Sequence, residues 1–272
     1  MNQPEPTTDS TRTRRTTASN ARRAERSGRQ SRTGILPPVP LSVWLAAPLT
    51  GCCPTCEHPT SAACAQRLPQ GLARQITDAY SRSGEVVFVP DSGNGTLLLA
   101  AARTGRKVLG LVRGSDHGRR TQQLFADQEP DTAVRAIIRN APGPAALAAQ
   151  AARIAGRAAL AVIAPHDPVS PPALGALLDS ARTALRPGGI AVICARPTPG
   201  QDSAGTLTAY AQAAGFSYLQ HIAAVEAPAH KSRLLQPAES TAHGPDCACT
   251  DAAPGGGAHR LAHHDLLVFQ RP

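Results

Sequence analysis

The run Val86-Val87-Phe88-Val89 passes directly into Pro90-Asp91-Ser92-Gly93-Asn94-Gly95-Thr96 and then into a leucine- and alanine-rich stretch. An apolar strand, a Gly-x-Gly turn and a helix together let backbone approach a ligand at the carboxyl edge of a sheet. Glycines are needed because a Cβ would block that approach, and the helix start beyond adds aligned peptide dipoles. Leu98 stands where a dinucleotide fingerprint has its third glycine. The loop therefore suits a nucleoside better than a pyrophosphate. A plain tight turn is the competing reading of the same residues.

Cys53-Pro54-Thr55-Cys56, with His58 and Cys64, sets thiols and an imidazole at short spacing, and His243 with Cys247-Ala248-Cys249 offers a second group. Four such ligands make a tetrahedral zinc site. The spacings match no standard finger, so the expectation is free thiols and no metal. His263 and His264, ahead of the terminal apolar run, read as edge or surface residues, and Cys194 as a small buried hydrophobe. Seven cysteines, an odd number without regular spacing, fit a reducing compartment, hence the cytoplasm.

These groups need a scaffold. From Leu72 onward, short apolar runs alternate with Ala/Leu-rich helical stretches, the pattern of a parallel sheet covered by helices on both faces. The runs predict strands over 85–89, 107–112, 133–138, 159–164, 189–194, 218–223 and 265–270. Helices are expected over 71–81, 95–103, 118–125, 144–154, 173–185 and 206–213, all but the first at βαβ spacing. The last two strands are joined by a long Pro/Gly/His-rich loop, so they can pair antiparallel. Arg186-Pro187-Gly188-Gly189 reads as a turn whose glycine caps the fifth helix, Gly215 ends the sixth, and Pro171-Pro172 suits the first turn of the fifth. The result is an α/β, Rossmann-like fold.

The segment 68–112 resembles the S-adenosylmethionine-dependent amino-methyltransferases, in particular an actinobacterial DNA-methylase-like group. The matching residues are Pro90, Gly93, Gly95 and Thr96, then Gly105-Arg106 and Gly110. Further blocks are Ser42-Val43-Trp44, Leu185-Arg186-Pro187-Gly188-Gly189 with Ala195-Arg196-Pro197, and Leu261-Ala262-His263-His264-Asp265-Leu266-Leu267-Val268-Phe269. The resemblance covers about 42–272. It implies the class I methyltransferase fold, seven strands with an antiparallel last one, and S-adenosylmethionine as cofactor. By position it assigns Pro90, Asp91, Gly93, Gly95 and Thr96 to that cofactor.

Departures from the family fall on the chemistry. Its loop aspartate aligns with Val89, while Asp91 matches the wider Asp-x-Gly-x-Gly form and would orient the methionine end. The acid that holds the ribose hydroxyls aligns with Val112, leaving Asp116 as the nearby substitute. Asn140 stands for the acid facing the adenine amino group, and its carbonyl can still accept. The family's catalytic Asp/Asn/Ser-Pro-Pro-Tyr/Phe has two placements here. Ser170-Pro171-Pro172 reproduces three members, with Ala173 in place of the stacking ring; His166-Asp167-Pro168 offers Asp167 as acceptor with no ring. A proline-rich loop leading into a helix is the competing reading.

Twenty-eight basic residues against 19 acidic give a net charge of +9. Much of the excess lies in Arg12, Arg14, Arg15, Arg22, Arg23, Arg26, Arg29 and Arg32, opposed only by Glu5, Asp9 and Glu25. That polar segment, 1–41, reads as a disordered arm able to sit on phosphates, or as a solubilising tail without a partner. The apolar stretch 35–51 runs into Cys52 as Leu49-Thr50-Gly51-Cys52, like a lipoprotein signal. Pro37, Pro38, Pro40 and Pro48 break its helix, however, and no apolar run spans a membrane. Residues 42–272 form the expected domain, with a flexible loop at 226–259. If active, the chain would methylate an exocyclic amino group of a base in DNA. An inactive homologue that binds nucleic acid or a partner, and a small-molecule methyltransferase, are the rival readings.

Overall fold

The computed structural model describes residues 41–46, 68–93, 95–128, 130–164, 170–197, 202–226, 229–230, 233–234 and 263–272. Its elements run β1 (Leu41–Ala46), α1 (Gln70–Tyr80), β2 (Val86–Val89), α2 (Thr96–Arg103), β3 (Lys107–Val112), α3 (Ser115–Ala126) and α4 (Pro130–Ala133). There follow β4 (Ala136–Asn140), α5 (Pro144–Ala152), β5 (Ala158–Ile163), α6 (Pro171–Ala184), β6 (Leu185–Ala195), α7 (Ser203–Ala213) and β7 (Ser217–Glu226). The short pair β8 (Ala229–His230) and β9 (Arg233–Leu234) precedes β10 (His263–Gln270).

Eight strands form one sheet in the order β1-β7-β10-β6-β5-β2-β3-β4. All neighbours pair in parallel except β10, which is antiparallel to both β6 and β7. The chain builds outward from β2 through β3 to β4, then returns to place β5 on the other side of β2. That reversal opens a crevice at the carboxyl ends of β2 and β5, the place where such sheets receive ligands. The inner strands β2, β3 and β5 read as apolar runs because both faces are covered, whereas β1 and β4 at the sheet edges leave Val43, Leu45 and Ile137 exposed. Leu72, Ile76 and Leu98 pack on one face, while Leu147, Leu178 and Phe216 pack on the other.

All seven expected strands are present, and β1 is an eighth. It lies within the apolar stretch weighed above as a targeting segment, between prolines that mask its period. Trp44 on β1 stacks on Tyr80 of α1, ring centroids 6.1 Å apart. The strand expected over 133–138 is displaced to Ala136–Asn140 because Pro130 opens the short α4 with Asp131 in its first turn. α7 starts earlier than expected, at Ser203, since the Asp202 carboxylate accepts the Gly205 N–H at 2.8 Å and caps it.

The turn at 186–189 takes a different form from the helix cap expected of it. α6 ends on Leu185 in extended conformation, and residues 186–189 form a bulge inside β6, where the register jumps from Ala158↔Leu185 to Leu160↔Ile190. Gly188, at φ +73°, donates its N–H to the Arg271 carbonyl. A Cβ on Gly189 would lie 2.8 Å from the Arg186 carbonyl oxygen. The terminal segment thus holds this bulge. Gly215, at φ +85°, does end α7 as expected. The arm 1–41 lies outside the described residues but for Leu41, as does most of the loop 226–259. Among the described residues, no helix is long and apolar enough to cross a membrane.

Candidate functional site

The glycine loop occupies the carboxyl end of β2. Pro90, Asp91 and Ser92 are buried, and Ser92 donates both its N–H and its hydroxyl to the Leu111 carbonyl, at 2.8 and 2.9 Å. This pair of hydrogen bonds ties the loop to the end of β3. Gly93 and Gly95 have φ of +48° and +77°, where a side chain is strained, and the Gly95 N–H closes the turn on the Ser92 carbonyl at 2.9 Å. Gly95 is also the N-cap of α2, so the turn delivers the chain directly into the helix on which Thr96 is the first residue. A Cβ on Gly95 would meet the Thr121 methyl of α3 at 2.9 Å. Asn94 lies outside the described residues.

Leu98 is accommodated by a second glycine. A Cβ at Gly110 of β3 would stand 2.4 Å from the nearest Leu98 methyl, so Leu98 fills the space that Gly110 leaves. The close helix–strand approach that a third loop glycine would give is reached from the strand side instead.

Asp91 is only 4% exposed, and its Oδ2 lies 2.7 Å from Nη2 of Arg113. Arg113 follows the last residue of β3 and was not singled out in the sequence, because a lone arginine after a strand carries no motif. Val112 is buried against α3, 3.0 Å from a Cβ built on Gly118, and pairs in register with Asn140, which ends β4 exposed. The ends of β2, β3 and β4 therefore present an ion pair buried only on its Asp91 side, an apolar residue and an amide. Asp116 lies in the first turn of α3, and its side chain is outside the described residues.

Beyond β5, Ser170 is the exposed N-cap of α6, and Pro171 and Pro172 form its exposed first turn. The Ser170 carbonyl accepts the Leu174 N–H at 2.9 Å. Both prolines sit where a missing N–H costs no helical bond. Asp167 lies outside the described residues, as do Cys53, Cys56, Cys64, Cys247 and Cys249. Cys194 is buried in β6, and burial pushes its thiol up to about 12. Among the described residues no group of three His, Cys, Asp or Glu side chains is placed to hold a metal.

A polar cluster that sequence reading missed lies at the same sheet edge. His264 was expected at the surface but is 2% exposed, with Nδ1 2.8 Å from Oε1 of Glu226 at the end of β7. Arg196, just past β6, reaches the same Oε1 at 2.7 Å and places Nε 3.3 Å from His264 Nε2. On the opposite face, His221 lies 2.8 Å from Asp265. β10 runs antiparallel, so its first residues meet the last ones of β6 and β7, a juxtaposition that linear spacing conceals.

No protein-family model matches the chain, and no curated protein matches it in sequence. Solved structures do match in fold. A precorrin-6y C5,15-methyltransferase from Geobacter metallireducens superposes with a TM-score of 0.51 at 9% identity, over 76% of this chain and 91% of that one. The tRNA (m1A58) methyltransferase TrmI from Aquifex aeolicus gives 0.51 at 11% identity, over 79% and 72%. A glycopeptide N-methyltransferase, MtfA, gives 0.51 at 15% identity, over 74% and 94%. At such identities the likeness is one of architecture: the chain has the Rossmann-like α/β fold of the class I S-adenosylmethionine-dependent methyltransferases.

Proposed function

We propose that the chain is an S-adenosylmethionine-dependent methyltransferase, acting on an exocyclic amino group of a base in DNA. The observation that carries this reading is the loop 90–96. It leaves β2 at the strand-order reversal, turns on two left-handed glycines, and enters α2 at Thr96. The residues fit the cofactor along this loop. Gly93 and Gly95 allow the tight turn, Pro90, Asp91 and Thr96 flank it, and the amide oxygen of Asn140, exposed at the end of β4, would accept from an amino group. When bound, the cofactor supplies an electrophilic methyl group on a sulfonium.

The chain's own residues would do the rest. The Ser170 hydroxyl or, in the alternative placement, the Asp167 carboxylate would accept the hydrogens of a substrate amino group, holding its lone pair toward the methyl donor. Ser170 is exposed at the start of α6, after the strand beside β2, which keeps it available to substrate. The arginines of the arm suit DNA phosphates, a contact that carries no sequence information. We assign the activity to the cytoplasm.

A second reading, a catalytically inactive homologue that binds nucleic acid or a partner, is favoured by one specific observation. Pro171 and Pro172 are fully accounted for as the first turn of α6, and Ala173 offers no ring for a flipped base. The two readings separate in a transfer assay. Full-length protein is incubated with methyl-labelled cofactor and duplex or single-stranded DNA, and the digested nucleosides are resolved. The methyltransferase reading predicts labelled N-methyl adenine or cytosine, reduced at least about ten-fold by Ser170→Ala together with Asp167→Ala. Absence of label, in the wild type and in Val112→Glu combined with Ala173→Tyr, would contradict DNA amino-methylation and favour the inactive homologue.

A further inference from the structure

We propose that the amino edge of the sheet, the end opposite the glycine loop, binds the phosphate backbone of a nucleic acid without reading its sequence. The inference goes beyond methyl transfer and does not depend on it.

Strands β2 to β6 run parallel, so their first residues line one edge, and the register sets them side by side. Lys107 opens β3 opposite Val86, and Arg157 precedes Ala158, the residue of β5 opposite Val86. Arg135 precedes Ala136 of β4, and Arg186 follows the first residue of β6. Of these five strands only β2 brings an acid, Glu85. At the usual strand spacing the row from β6 to β4 is about 19 Å long, the rise of about five or six base pairs of a duplex. Arg153, the C-cap of α5, stands just ahead of Arg157, whose N–H bonds the Ile154 carbonyl at 3.0 Å. The six residues of β5 separate this row from the crevice by about 20 Å, so a duplex held here leaves the candidate site open.

Helices α1, α2, α5 and α6 end at the same edge, and their carbonyl ends favour cations for structural reasons. That accounts for part of the charge. Arg103, in the last turn of α2, donates to Gln128 at 2.6 Å, and Arg186 pairs with Glu85 at 2.8 Å. Lys107, Arg153 and Arg157 are exposed, and their side chains make no ion pair or hydrogen bond among the described residues. Asp127 and Asp131 shortly precede Arg135, so acids gather at the β4 end, while Asp179 lies more than a turn before the end of α6. The stretch from β3 to β5 is left cationic. Leu41 opens β1 at this edge too, because β1 is parallel to β7, so the arginines at positions 12–32 join the domain there. Arginine and lysine without apolar residues to insert suit a phosphodiester backbone better than a lipid surface.

The test is fluorescence anisotropy of a labelled duplex of about 20 base pairs with the full chain, from about 50 to about 300 mM salt. Lys107→Gln with Arg157→Gln is compared with Arg74→Gln with Arg139→Gln, which removes the same charge from exposed arginines on α1 and at the far end of β4. The first pair is expected to lower the slope of log affinity against log salt by about 2 and to weaken binding about ten-fold or more at about 100 mM salt. The second pair should leave the slope near that of the wild type. Lys107→Arg with Arg157→Lys, which keeps the charge, should bind as the wild type does. Equal losses in the two neutralised pairs would overturn the proposal, as would failure of the wild type to bind the duplex or of the charge-keeping pair to retain binding. Loss of binding to phosphatidylserine vesicles in the first pair, with duplex binding intact, would assign the edge to a membrane and overturn it as well. Duplex binding with the expected losses but without methyl transfer would support this surface and contradict the proposed function. Methyl transfer with equal losses would do the reverse.

Discussion

Gly95 and Thr121 define how tightly the loop is seated. Gly95→Ala places a Cβ in a left-handed backbone, at about 1–2 kcal/mol, and crowds the Thr121 methyl for about 1 kcal/mol more. Gly156, at φ +66° with open space around its missing Cβ, isolates the backbone part. Denaturant midpoints should therefore fall further for Gly95→Ala than for Gly156→Ala, and Thr121→Ser should recover the difference by removing the methyl. Among the described residues the buried Thr121 hydroxyl has no hydrogen-bond partner. Thr121→Val keeps the shape and removes that group, so a gain of about 1 kcal/mol is expected in the same experiment. Cys194 is the counterpart in β6. With its thiol raised to about 12 by burial, it should resist alkylation at neutral pH in native protein and react once denaturant is added, as read by peptide mass. The glycine loop was legible in the sequence because local spacing specifies it. The Asp91–Arg113 pair was not, since its members lie just past the ends of different strands, which parallel pairing brings side by side.

Helices and strands are joined here by contacts that explain several matched positions. Gly105, at φ +84°, turns the chain so that Arg106 reaches back to the C-terminal end of α1. Its guanidinium donates to the Ser81 carbonyl at 2.6 Å, the Thr104 carbonyl at 2.8 Å and Asp78 Oδ1 at 2.9 Å. A cation at a helix C-terminus satisfies orphan carbonyls and opposes the macrodipole. Arg106→Leu should cost about 2–3 kcal/mol in urea denaturation, with Arg106→Lys recovering only part because it lacks the fork. The pair Gly105-Arg106, noted above for its resemblance to a family motif, thus has a structural account independent of ligand binding. Gly110 and Leu98 form the other join. Gly110→Ala overpacks it by about 1–3 kcal/mol, and Leu98→Ala in the same chain should relieve the clash. Strand and helix positions were readable because buried parallel strands are continuous apolar runs. β1 escaped because six residues flanked by prolines carry no decisive period, and its place is settled by pairing with β7.

For the molecule as a whole, the topology followed from the alternation of apolar runs and helical stretches, while its polar edge depended on an antiparallel β10 that brings distant residues together. The fold also sets a pH window. Burial raises the Cys194 thiol and the Tyr80 hydroxyl, the latter opposed by a hydrogen bond from Gln220; burial and the Asp265 charge raise Tyr218. The folded state keeps these protons where the unfolded chain releases them, so stability should fall as pH rises from about 9 toward 12. At the acid end, burial pushes Glu85 up, but the Arg82 amide and the Arg186 guanidinium push it further down. Its contribution is present above 4.5 and is lost as pH falls through the depressed value, which thermal unfolding across pH would record. The most direct measurement is calorimetric titration of the full chain with S-adenosylmethionine, beside Gly93→Leu. Micromolar, one-site binding that Gly93→Leu abolishes is the predicted result. No binding up to millimolar cofactor, or binding that Gly93→Leu leaves intact, would contradict the assignment of the loop 90–96 to the methyl donor.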